Sequence, residues 1–454
     1  SYNYTYLKYD DNKDICYIKD SKGVETFYER DNLGRVISTK NALGAETTYE
    51  YDVMDRISKV TDPLGNVTEY AYDISGKLIR VVNPDGTSKE WTNNNIGKVA
   101  EYTDEAGRKT SIKYNNVWDE EEITLPDGGK VTYEYDLLKR LIKVTDPERR
   151  ETSYDYDENG NIIAEYNGDI KVKSLTYDPN GNVTSETDAL GHVQKYDYDV
   201  NGNLIAVTDA AGNRFTREVD ALGRIVKETD ALGNSTSYTY TKTGDVQSVT
   251  DAEGRVRRFD YRKGQLIARY FCDRLEQKLI YDRLGRVEKR SFADGYEISY
   301  SYDALNRVEK VEGSDLRTVS YEYDSMGRVV KAVDGNSTTL YTYTATGRLK
   351  SVVDALGNET AYTYDALDNL KSVHRAEGLV SDEEKSGNVF PTVGKDGRVT
   401  IYSYDLSGQL TEVTDALGQK ETYEYDQYGR LKTKTDRDNY ATTYEYNNAG
   451  VVTK

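Results

Sequence analysis

Histidine and cysteine are the side chains best suited to acid–base, metal and nucleophilic chemistry, and this chain has few of them. Its 454 residues include two histidines, His192 and His374, and two cysteines, Cys16 and Cys272. Two histidines exclude most histidine-based metal clusters and leave little for acid–base catalysis. Two cysteines are too few for a disulfide framework or a zinc site, so we expect free thiols.

Carboxylates are abundant, with 79 Asp and Glu residues. A pair of carboxylates can hydrolyse a glycosidic bond, but these acids are spread over the whole chain and the sequence selects no pair. Asp157–Asn161 and Asp178–Asn182 resemble calcium loops, yet glycine is fourth instead of sixth, and Gly168 and Ala189 take the place of the twelfth-position glutamate. We therefore predict a protein that is not an enzyme and has no catalytic, cofactor-binding or metal-binding residues.

Tyrosine is the remaining chemically distinctive residue and supplies 42 of the 50 aromatic side chains. Tyrosine faces stack on sugar rings and neighbouring acids bond sugar hydroxyls, so a carbohydrate-binding surface is one interpretation. The other interpretation is that the tyrosines pack across strands of a sheet. The residues alone leave both interpretations open.

The net charge and hydropathy of the chain limit the classes of partner that it is expected to bind. The formal net charge is −19 and the mean hydropathy is −0.79. A nucleic-acid-binding face is basic, so this balance argues against DNA or RNA as a partner. No apolar run approaches the length of a membrane-spanning helix, so we also expect no membrane insertion.

The elements that position these residues follow from an internal repeat. A Tyr-Asp pair recurs about every 21 residues, a period of the length that repeat architectures use. The pattern gives 22 anchor positions between Asp10 and Asn447. Tyrosine precedes the anchor in 18 of the 22 units and stands three positions before it in 14. The steps that end at Asp282, Thr344 and Glu384 are slightly shorter than the rest.

Each unit reads as a β-hairpin. In the unit that begins at Asp199, the anchor Asp and Gly202 predict a turn, and Leu204–Thr208 predict a strand. Asp209–Asn213 predict a second turn, of the length of a type I turn closed by a left-handed glycine. We call the turn at the anchor the first turn and the turn within the hairpin the second turn.

Two details refine the hairpin. Asp55, Asn306 and Asp368 replace glycine in the first turn and are types that tolerate the left-handed region. In the first strand, apolar residues stand five and eight after the anchor, as Ile57 and Val60 do. This spacing breaks strict alternation and predicts a β-bulge or an early twist.

The tyrosines of the second strand have a common parity. Because strand side chains alternate between faces, we expect them to share one face of the sheet and to form aromatic rows. The residues concerned include Tyr49, Tyr51, Tyr70, Tyr72, Tyr133 and Tyr135.

Hairpins joined in sequence order predict the architecture. The fold class is all-β, a long antiparallel ribbon of consecutive β-hairpins that curls into a spiral shell or solenoid, because no unit can bury its apolar face alone. We expect residues 1–454 to be a single repeat array. Neither end shows a capping element, so we also expect the array to be truncated at both ends.

Two segments depart from the pattern. Residues 373–393 are either a degenerate repeat, with its anchor at Glu384, or an inserted acidic loop, and the sequence favours the degenerate repeat. The segment 255–274 carries six arginines on an acidic chain, namely Arg255, Arg257, Arg258, Arg262, Arg269 and the final Arg274. Cross-strand ion pairing or a solvated face explains this strip, and contact with an acidic partner is the alternative.

The repeat resembles a known family. Its signature is carried by the unit Tyr198, Asp199, Gly202, Asn203, Leu204, Thr208, Asp209, Gly212 and Asn213. This unit resembles the YD repeat of bacterial Rhs proteins, wall-associated Rhs-like proteins, insecticidal toxin complexes and teneurins. The resemblance covers nearly the whole chain and implies a hollow shell of β-hairpins that in some members encloses a C-terminal toxin. Toxin-bearing members end in a self-cleaving core with Asp-Pro-Gly-type motifs. No such segment occurs in this sequence, so no protease residue carries over.

The sequence thus predicts a non-enzymatic structural segment of a Rhs-type shell that encapsulates or presents a C-terminal toxin cargo. Its expected partners are that cargo, other parts of the same shell, and glycans. The expected location is secreted or on the surface of a bacterial cell, and no signal for it is visible in this sequence. The alternative is a cell-surface adhesion or carbohydrate-binding repeat array.

Overall fold

The computed structural model describes residues 4–376 and 399–454, which form strands joined by turns and contain no helix. Strands β1–β14 are Tyr6–Tyr9, Ile15–Lys19, Glu25–Arg30, Val36–Asn41, Glu46–Tyr51, Ile57–Thr61, Val67–Tyr72, Leu78–Val82, Ser88–Asn93, Val99–Thr103, Lys109–Tyr114, Glu120–Thr124, Lys130–Tyr135 and Leu141–Thr145. Strands β15–β28 are Glu151–Tyr156, Ile162–Asn167, Ile170–Tyr177, Val183–Asp188, Val193–Tyr198, Leu204–Thr208, Arg214–Val219, Ile225–Thr229, Ser235–Tyr240, Val246–Thr250, Val256–Arg262, Gln265–Phe271, Arg274–Tyr281 and Val287–Phe292. Strands β29–β41 are Glu297–Tyr302, Val308–Gly313, Thr318–Tyr323, Val329–Asp334, Ser337–Tyr343, Leu349–Val353, Glu359–Tyr364, Leu370–Ala376, Val399–Tyr404, Leu410–Thr414, Lys420–Tyr425, Leu431–Thr435 and Ala441–Thr443.

The strands pair antiparallel with their neighbours in the chain. β5 pairs with β6, β6 with β7, and β7 with β8, and the same order recurs along the ribbon. The predicted fold class, all-β with a long antiparallel ribbon of consecutive hairpins, is confirmed.

In most repeats, both turns have the same backbone conformation. In the second turn at Asp209, the Gly212 N–H donates to the Asp209 carbonyl at 3.0 Å and the Asp209 N–H donates to the Asn213 carbonyl at 3.0 Å. Gly212 has a φ of 86°, as the predicted type I turn with a left-handed closing residue requires. The predicted glycine substitutes adopt the same conformation, with φ of 62° at Asp55, 66° at Asn306 and 63° at Asp368. Trp118 and Lys139 also adopt it, which the sequence did not predict for these residue types.

The predicted bulge lies where the first strand begins. Tyr49 pairs with Val60 and Glu50 with Lys59, but Tyr51 pairs with Ile57, so one extra residue of β6 lies opposite the Glu50–Tyr51 step. The bulge resets the alternation. The same register shift recurs in most repeats, as at Ala71–Tyr72 and Glu134–Tyr135.

The two faces of the ribbon differ in chemistry. In β5, Tyr49 and Tyr51 are half-buried and Glu50 between them is exposed, in agreement with a shared tyrosine face. Val60, an aliphatic residue, is the direct cross-strand partner of Tyr49. Within residues 4–376 and 399–454, no ring pair joins the six tyrosines for which rows were expected, so they share a face without stacking on one another.

The opposite face carries ion-pair ladders. Lys59 Nζ lies 2.8 Å from Glu50 Oε1, and Lys143 Nζ lies 2.6 Å from Glu134 Oε1 on the corresponding strands of another repeat. Such exposed pairs contribute little stability each, about 0–1 kcal/mol. They keep this face polar, which matches a ribbon with one solvated face.

The chain divides into two compact units. Unit 1 consists of Ser1–Ser88 with Arg217–Leu340, and unit 2 consists of Lys89–Thr216 with Tyr341–Lys454. In each unit, two stretches of ribbon that are far apart in sequence lie beside each other, and second turns of the earlier stretch contact first turns of the later one. In unit 2, for example, Arg108 bonds Asp368. This lateral contact within each unit is what a solenoid arrangement requires.

The predicted degenerate repeat at Glu384 lies outside the described residues. The strands on either side, β36 and β37, pair directly with each other. The Tyr404 hydroxyl donates to the Leu370 carbonyl across 34 residues, whereas the equivalent bond elsewhere spans 15, as from Tyr72 to Ile57.

Candidate functional site

The recurring arrangement of polar side chains in this protein starts at the anchor aspartate. Asp52 Oδ1 accepts hydrogen bonds from the backbone N–H groups of Met54 at 2.8 Å and Arg56 at 3.0 Å. An Asp side chain that bonds its own turn in this way fixes the turn and explains the Asp of each Tyr-Asp pair. The carboxylate thereby receives donors that would otherwise point to solvent.

The second carboxylate oxygen holds the residue four positions on. Arg56 Nε donates to Asp52 Oδ2 at 2.7 Å, and in other repeats an asparagine does the same, as Asn203 Nδ2 does to Asp199 Oδ2 at 2.8 Å. These side-chain bonds, from Arg56 and Asn203, are the largest cause that holds the pKa of Asp52 and of Asp199 below its ordinary value. Asp, Asn and Arg are therefore used inside the turn.

The arginine then covers a tyrosine. Arg56 Cζ lies 4.6 Å from the ring centroid of Tyr72, the last residue of the second strand, and the Tyr72 hydroxyl donates to the Ile57 carbonyl at 2.9 Å. The ring is held at its face by the cation and at its hydroxyl by the backbone of the preceding strand. We call this arrangement the Asp–Arg–Tyr cluster.

The cluster recurs throughout the ribbon. Its other examples are Asp31–Arg35–Tyr51, Asp136–Arg140–Tyr156, Asp220–Arg224–Tyr240, Asp282–Arg286–Tyr302, Asp303–Arg307–Tyr323 and Asp426–Arg430–Tyr446. The tyrosine–carbonyl bond also occurs where asparagine replaces arginine, as from Tyr177 to Ile162 at 2.7 Å. The sequence contained a signal for the cluster, an arginine four after the anchor with a tyrosine sixteen positions later, but sequence reasoning missed it.

The histidines and cysteines take ordinary positions in the repeat. His192 Nδ1 lies 2.8 Å from Asp188 Oδ2, in the place of the asparagine of other second turns, and both side chains are exposed. His374 lies in β36 opposite Val399. Cys16 is half-buried, Cys272 is exposed, and both are free thiols. Among the described residues, no three His, Cys, Asp or Glu side chains are arranged to hold a metal ion.

The calcium-like loops are built as ordinary repeat turns. Asn161 Nδ2 donates to Asp157 Oδ2 at 2.9 Å, and Asn182 Nδ2 donates to Asp178 Oδ2 at 2.9 Å. An amide that points its nitrogen at the carboxylate uses the oxygen that a cation would need. These bonds are the same as those of the asparagine turns elsewhere in the ribbon.

The arginine strip is paired with acids on its own and neighbouring strands. Arg255 Nε lies 2.7 Å from Asp251 Oδ2. Arg257 and Arg269 lie 3.5 and 2.8 Å from Glu276 Oε2, as ion pairs that lack hydrogen-bond alignment. The cross-strand ion pairing that the sequence suggested is therefore present.

The lateral contact between stretches of ribbon is the other organised polar site. In unit 2, Arg108 of a second turn donates from Nη1 to Asp368 Oδ1 at 2.8 Å and from Nη2 to Asp368 Oδ2 at 3.0 Å. The same guanidinium bonds Asp104 Oδ2 of its own turn at 2.7 Å. The Arg108 hydrogen bonds are the main reason that the pKa of Asp368 is lowered. Because the two side chains are far apart in the chain, no sequence pattern indicated that they would pair.

A close approach completes the lateral contact in unit 2. A Cβ added to Gly168 would lie 2.9 Å from Cε1 of Tyr428, and Gly168 has a φ of 59°. The Tyr428 hydroxyl bonds Asp169, and Asn167 Nδ2 donates to the Tyr428 carbonyl at 3.3 Å. A shallow cavity of about 280 Å³ opens beside this contact, lined by residues that include Asp188 and Arg430. The glycine is required here because a side chain would collide with the ring.

No helix in the described part of the chain is long and apolar enough to cross a membrane. The polar groups described above stabilise turns, strands and lateral contacts.

Comparisons with known proteins agree with the repeat. Three structures that resemble the chain are the crystal structures of TcdB2-TccC3 without its hypervariable C-terminal region and of TcdB2-TccC3-Cdc42, and the Tc holotoxin pore of Photorhabdus luminescens. Their TM-scores are 0.58, 0.53 and 0.52, with sequence identities of 14%, 16% and 15%. They cover 99%, 96% and 96% of this chain, which spans less than a third of theirs, namely 28%, 30% and 30%. At this identity the likeness shows the fold.

A comparison with curated protein sequences found no match. The family model described as RHS Repeat matches residues 30–67, 55–88, 121–151, 135–169, 177–214, 219–256, 343–380, 392–420 and 404–439, which together make up more than half of the chain. The matched stretches contain many of the Tyr-Asp pairs and turn glycines, and clustered arginines such as Arg56, Arg140 and Arg224. The chain therefore belongs to the RHS-repeat family.

Proposed function

We propose that this chain is a non-enzymatic wall segment of an RHS-repeat shell that encloses or presents a toxin cargo. The observation that carries the proposal is the likeness of fold over 96–99% of the chain to the TcdB2-TccC3 structures. In those structures a chain with this fold belongs to a toxin complex, and this chain's length corresponds to under a third of it. Its partners are the cargo and other parts of the same shell, and the site of action is outside the producing bacterium.

The use of side chains in the ribbon supports a structural role. Acid–base catalysis needs a titratable group whose pKa differs from those of similar groups nearby. In this chain, many acids, arginines and tyrosines instead belong to repeated copies of the Asp–Arg–Tyr cluster. Each Asp–Arg–Tyr cluster ties two strands to a turn. Within the ribbon, such clusters stabilise each repeat through contacts with its neighbours, as in repeat proteins generally.

The adhesion or carbohydrate-binding alternative has less support. A sugar that stacks on tyrosine needs a bare ring face and a hydroxyl with a free hydrogen-bonding position. In the Asp–Arg–Tyr clusters within the described ranges, the ring faces an arginine and the hydroxyl bonds a carbonyl, as at Tyr72 and Tyr240. We therefore consider a toxin cargo a better supported partner of this chain than a glycan.

Protease protection of the full gene product that carries this chain tests the proposal. A polypeptide enclosed by the wall is expected to resist proteinase K under native conditions and to be digested once mild denaturant opens the wall, with its identity read by mass spectrometry. Electron cryo-microscopy of the same sample is expected to show density inside the wall. Digestion of every other segment at the rate seen in denaturant, together with binding on a glycan array, would favour adhesion and reject the shell.

A further inference from the structure

Aliphatic side chains occupy the tips of many turns in the ribbon. Most of them stand one or two positions after the leading residue of the turn, and Leu316 stands three after Gly313, in the left-handed closing position. At several of these positions the side chain is more exposed in turns that contact no other stretch of ribbon than in turns that do. The difference identifies two interaction edges.

In unit 1, turns that contact another stretch are partly covered. Val24 Cγ2 would lie 3.3 Å from a Cβ placed on Gly285, and Arg328 Nη2 lies 3.4 Å from Asp85 Oδ2, so second turns of residues 20–87 lie beside first turns of residues 282–328. The second-turn leucines in this interval, Leu43 and Leu64, are 54% and 50% exposed. The first-turn residues Leu284, Leu305 and Met326 are half-buried.

The remaining turns of unit 1 are open. In its other second turns, Leu232 and Leu316 are 88% and 91% exposed. In its other first turns, Leu33, Met54 and Ile74 are 72% exposed, 68% exposed and fully exposed. At the second position of the turn, Leu33 and Met54 are thus more exposed than the half-buried Leu284, Leu305 and Met326, and Leu232 is more exposed than Leu43 and Leu64.

Unit 2 repeats the pattern. Its first turns in residues 94–203 expose Leu137 and Val200, and its second turns in residues 354–419 expose Leu356 and Leu417. In contrast, Leu367, in a first turn that contacts Arg108, is half-buried. We call the bare first turns the first-turn edge and the bare second turns the second-turn edge.

Charge on the two edges matches the contact already made inside unit 2. There, Arg108 stands four after the start of a second turn and Asp368 three after the start of a first turn. The second-turn edge carries Arg255 at the first of these positions and the first-turn edge carries Asp55 at the second, and both side chains are more than half exposed. The edges are therefore complementary in charge as well as in apolar side chains.

We propose that these edges are docking surfaces for a further layer of RHS-repeat ribbon, and that a second copy of this chain supplies that layer in solution. The first-turn edge of one copy binds the second-turn edge of the next, with the contacts that the chain makes within its own units. Such an interface is heterologous, so it leaves one edge of each type open after every addition. The inference does not depend on what the wall encloses.

Two matched variants test the proposal. The first-edge variant combines Met54→Lys, Ile74→Lys, Leu137→Lys and Val200→Lys, and the second-edge variant combines Leu232→Lys, Leu316→Lys, Leu356→Lys and Leu417→Lys. All eight side chains are 68% or more exposed, so folding should be retained, which circular dichroism and the melting temperature check. Ile280→Lys, at an exposed strand position, is the control for added charge.

Sedimentation velocity between about 1 and 100 µM, the range of weak interfaces, is the measurement. The unmodified chain and the control are expected to associate, and each edge variant is expected to do so at least about tenfold more weakly. A mixture of the two edge variants is expected to form a one-to-one dimer, because each keeps the edge that the other lacks. Three results would overturn the proposal: the unmodified chain is monomeric, both variants associate as the unmodified chain does, or the mixture forms no dimer. If both variants associate unchanged, the association would be assigned to the terminal strands.

Discussion

The lateral contact between Arg108 and Asp368 offers the sharpest test of how the ribbon is held beside itself in unit 2. We consider Arg108→Met, which keeps the length of the side chain but removes its charge, and Asp368→Asn, which keeps its shape. Asparagine also tolerates the left-handed backbone of this position, where φ is 63°. The double variant completes a mutant cycle that isolates the interaction between the two side chains.

The expected coupling lies between that of a surface pair and that of a buried one. The two side chains are 20% and 19% exposed, and two charge-assisted bonds of 2.8 and 3.0 Å join them. Exposed pairs contribute about 0.2–1 kcal/mol, and hydrogen bonds to charged groups about 1.5–3 kcal/mol. Allowing for partial solvent screening, we expect a coupling free energy of about 1–2 kcal/mol.

Native-state hydrogen exchange is the suitable assay, because two compact units need not unfold in one step. The amides to follow are those of Gly107 and Asp368, which bond the carbonyls of Asp104 and Asp365 within their own turns. Both opening free energies should fall in either single variant, although only one turn carries the substitution. A coupling below about 0.5 kcal/mol, the limit for independent sites, would refute the reasoning.

Arg140→Met is the matched control for that cycle. Arg140 bonds Asp136 Oδ2 at 2.6 Å in its own turn and the Asp157 carbonyl at 3.0 Å in the next repeat. Its replacement should raise exchange in those two turns and leave the other stretch of ribbon in unit 2 unchanged. Exchange that also rises at the distant turns would mean that the ribbon responds globally to any lost turn arginine.

Three further outcomes are expected. Tyr72→Phe removes a 2.9 Å bond to a backbone carbonyl and should cost about 1 kcal/mol, seen as faster exchange in the two strands it joins and unchanged exchange in distant repeats. In thermal unfolding, Gly168→Ala should destabilise unit 2 by about 2–3 kcal/mol more than Gly202→Ala. Both glycines have a positive φ, but only at Gly168 would the added Cβ collide with Tyr428. Equal losses of stability in the two variants would show that this collision is absent. The pKa of Asp52 is lowered in the fold, so its carboxylate stabilises the turn at pH values above the pKa of the unfolded chain, which is about 4. This stabilisation is lost as the pH falls through the lower pKa of the folded state. Asp52→Asn should therefore flatten the acid side of the melting profile, and an unchanged profile would contradict this.

Local structure was predictable from this sequence because most repeats place the same residue types at the same positions of their turns and strands. The Tyr-Asp period, the turn glycines and their Asp or Asn substitutes indicated both turns, and the irregular spacing of Ile57 and Val60 indicated the bulge that the register shift confirms. Family membership was predictable for the same reason. The shared face of the tyrosines was predictable as well, but their rings do not stack, because the strand between successive tyrosine strands places Val60 opposite Tyr49.

Contacts between distant repeats were not predictable, for a physical reason. Every repeat offers similar turns, so the period carries no signal for which distant turns meet. That choice depends on the summed twist of many hairpins, and small differences in each accumulate. Arg108 looks in sequence like any other turn arginine, yet it bonds Asp368 in a distant stretch of the ribbon, whereas Arg140 reaches the next repeat.

In a ribbon of this kind, the contacts that stabilise each hairpin do not involve the side chains exposed at the turn tips. The Asp–Arg–Tyr cluster fixes each hairpin to its neighbours through contacts that span one repeat, so changes at a turn tip or within a hairpin loop leave those contacts intact. The strands β36 and β37 still pair directly, and Tyr404 still bonds Leu370, although the residues between them exceed a repeat. Turn tips are therefore free to vary in side chain, and the exposed leucines concentrated there are better explained by what binds the edges than by what holds each hairpin together.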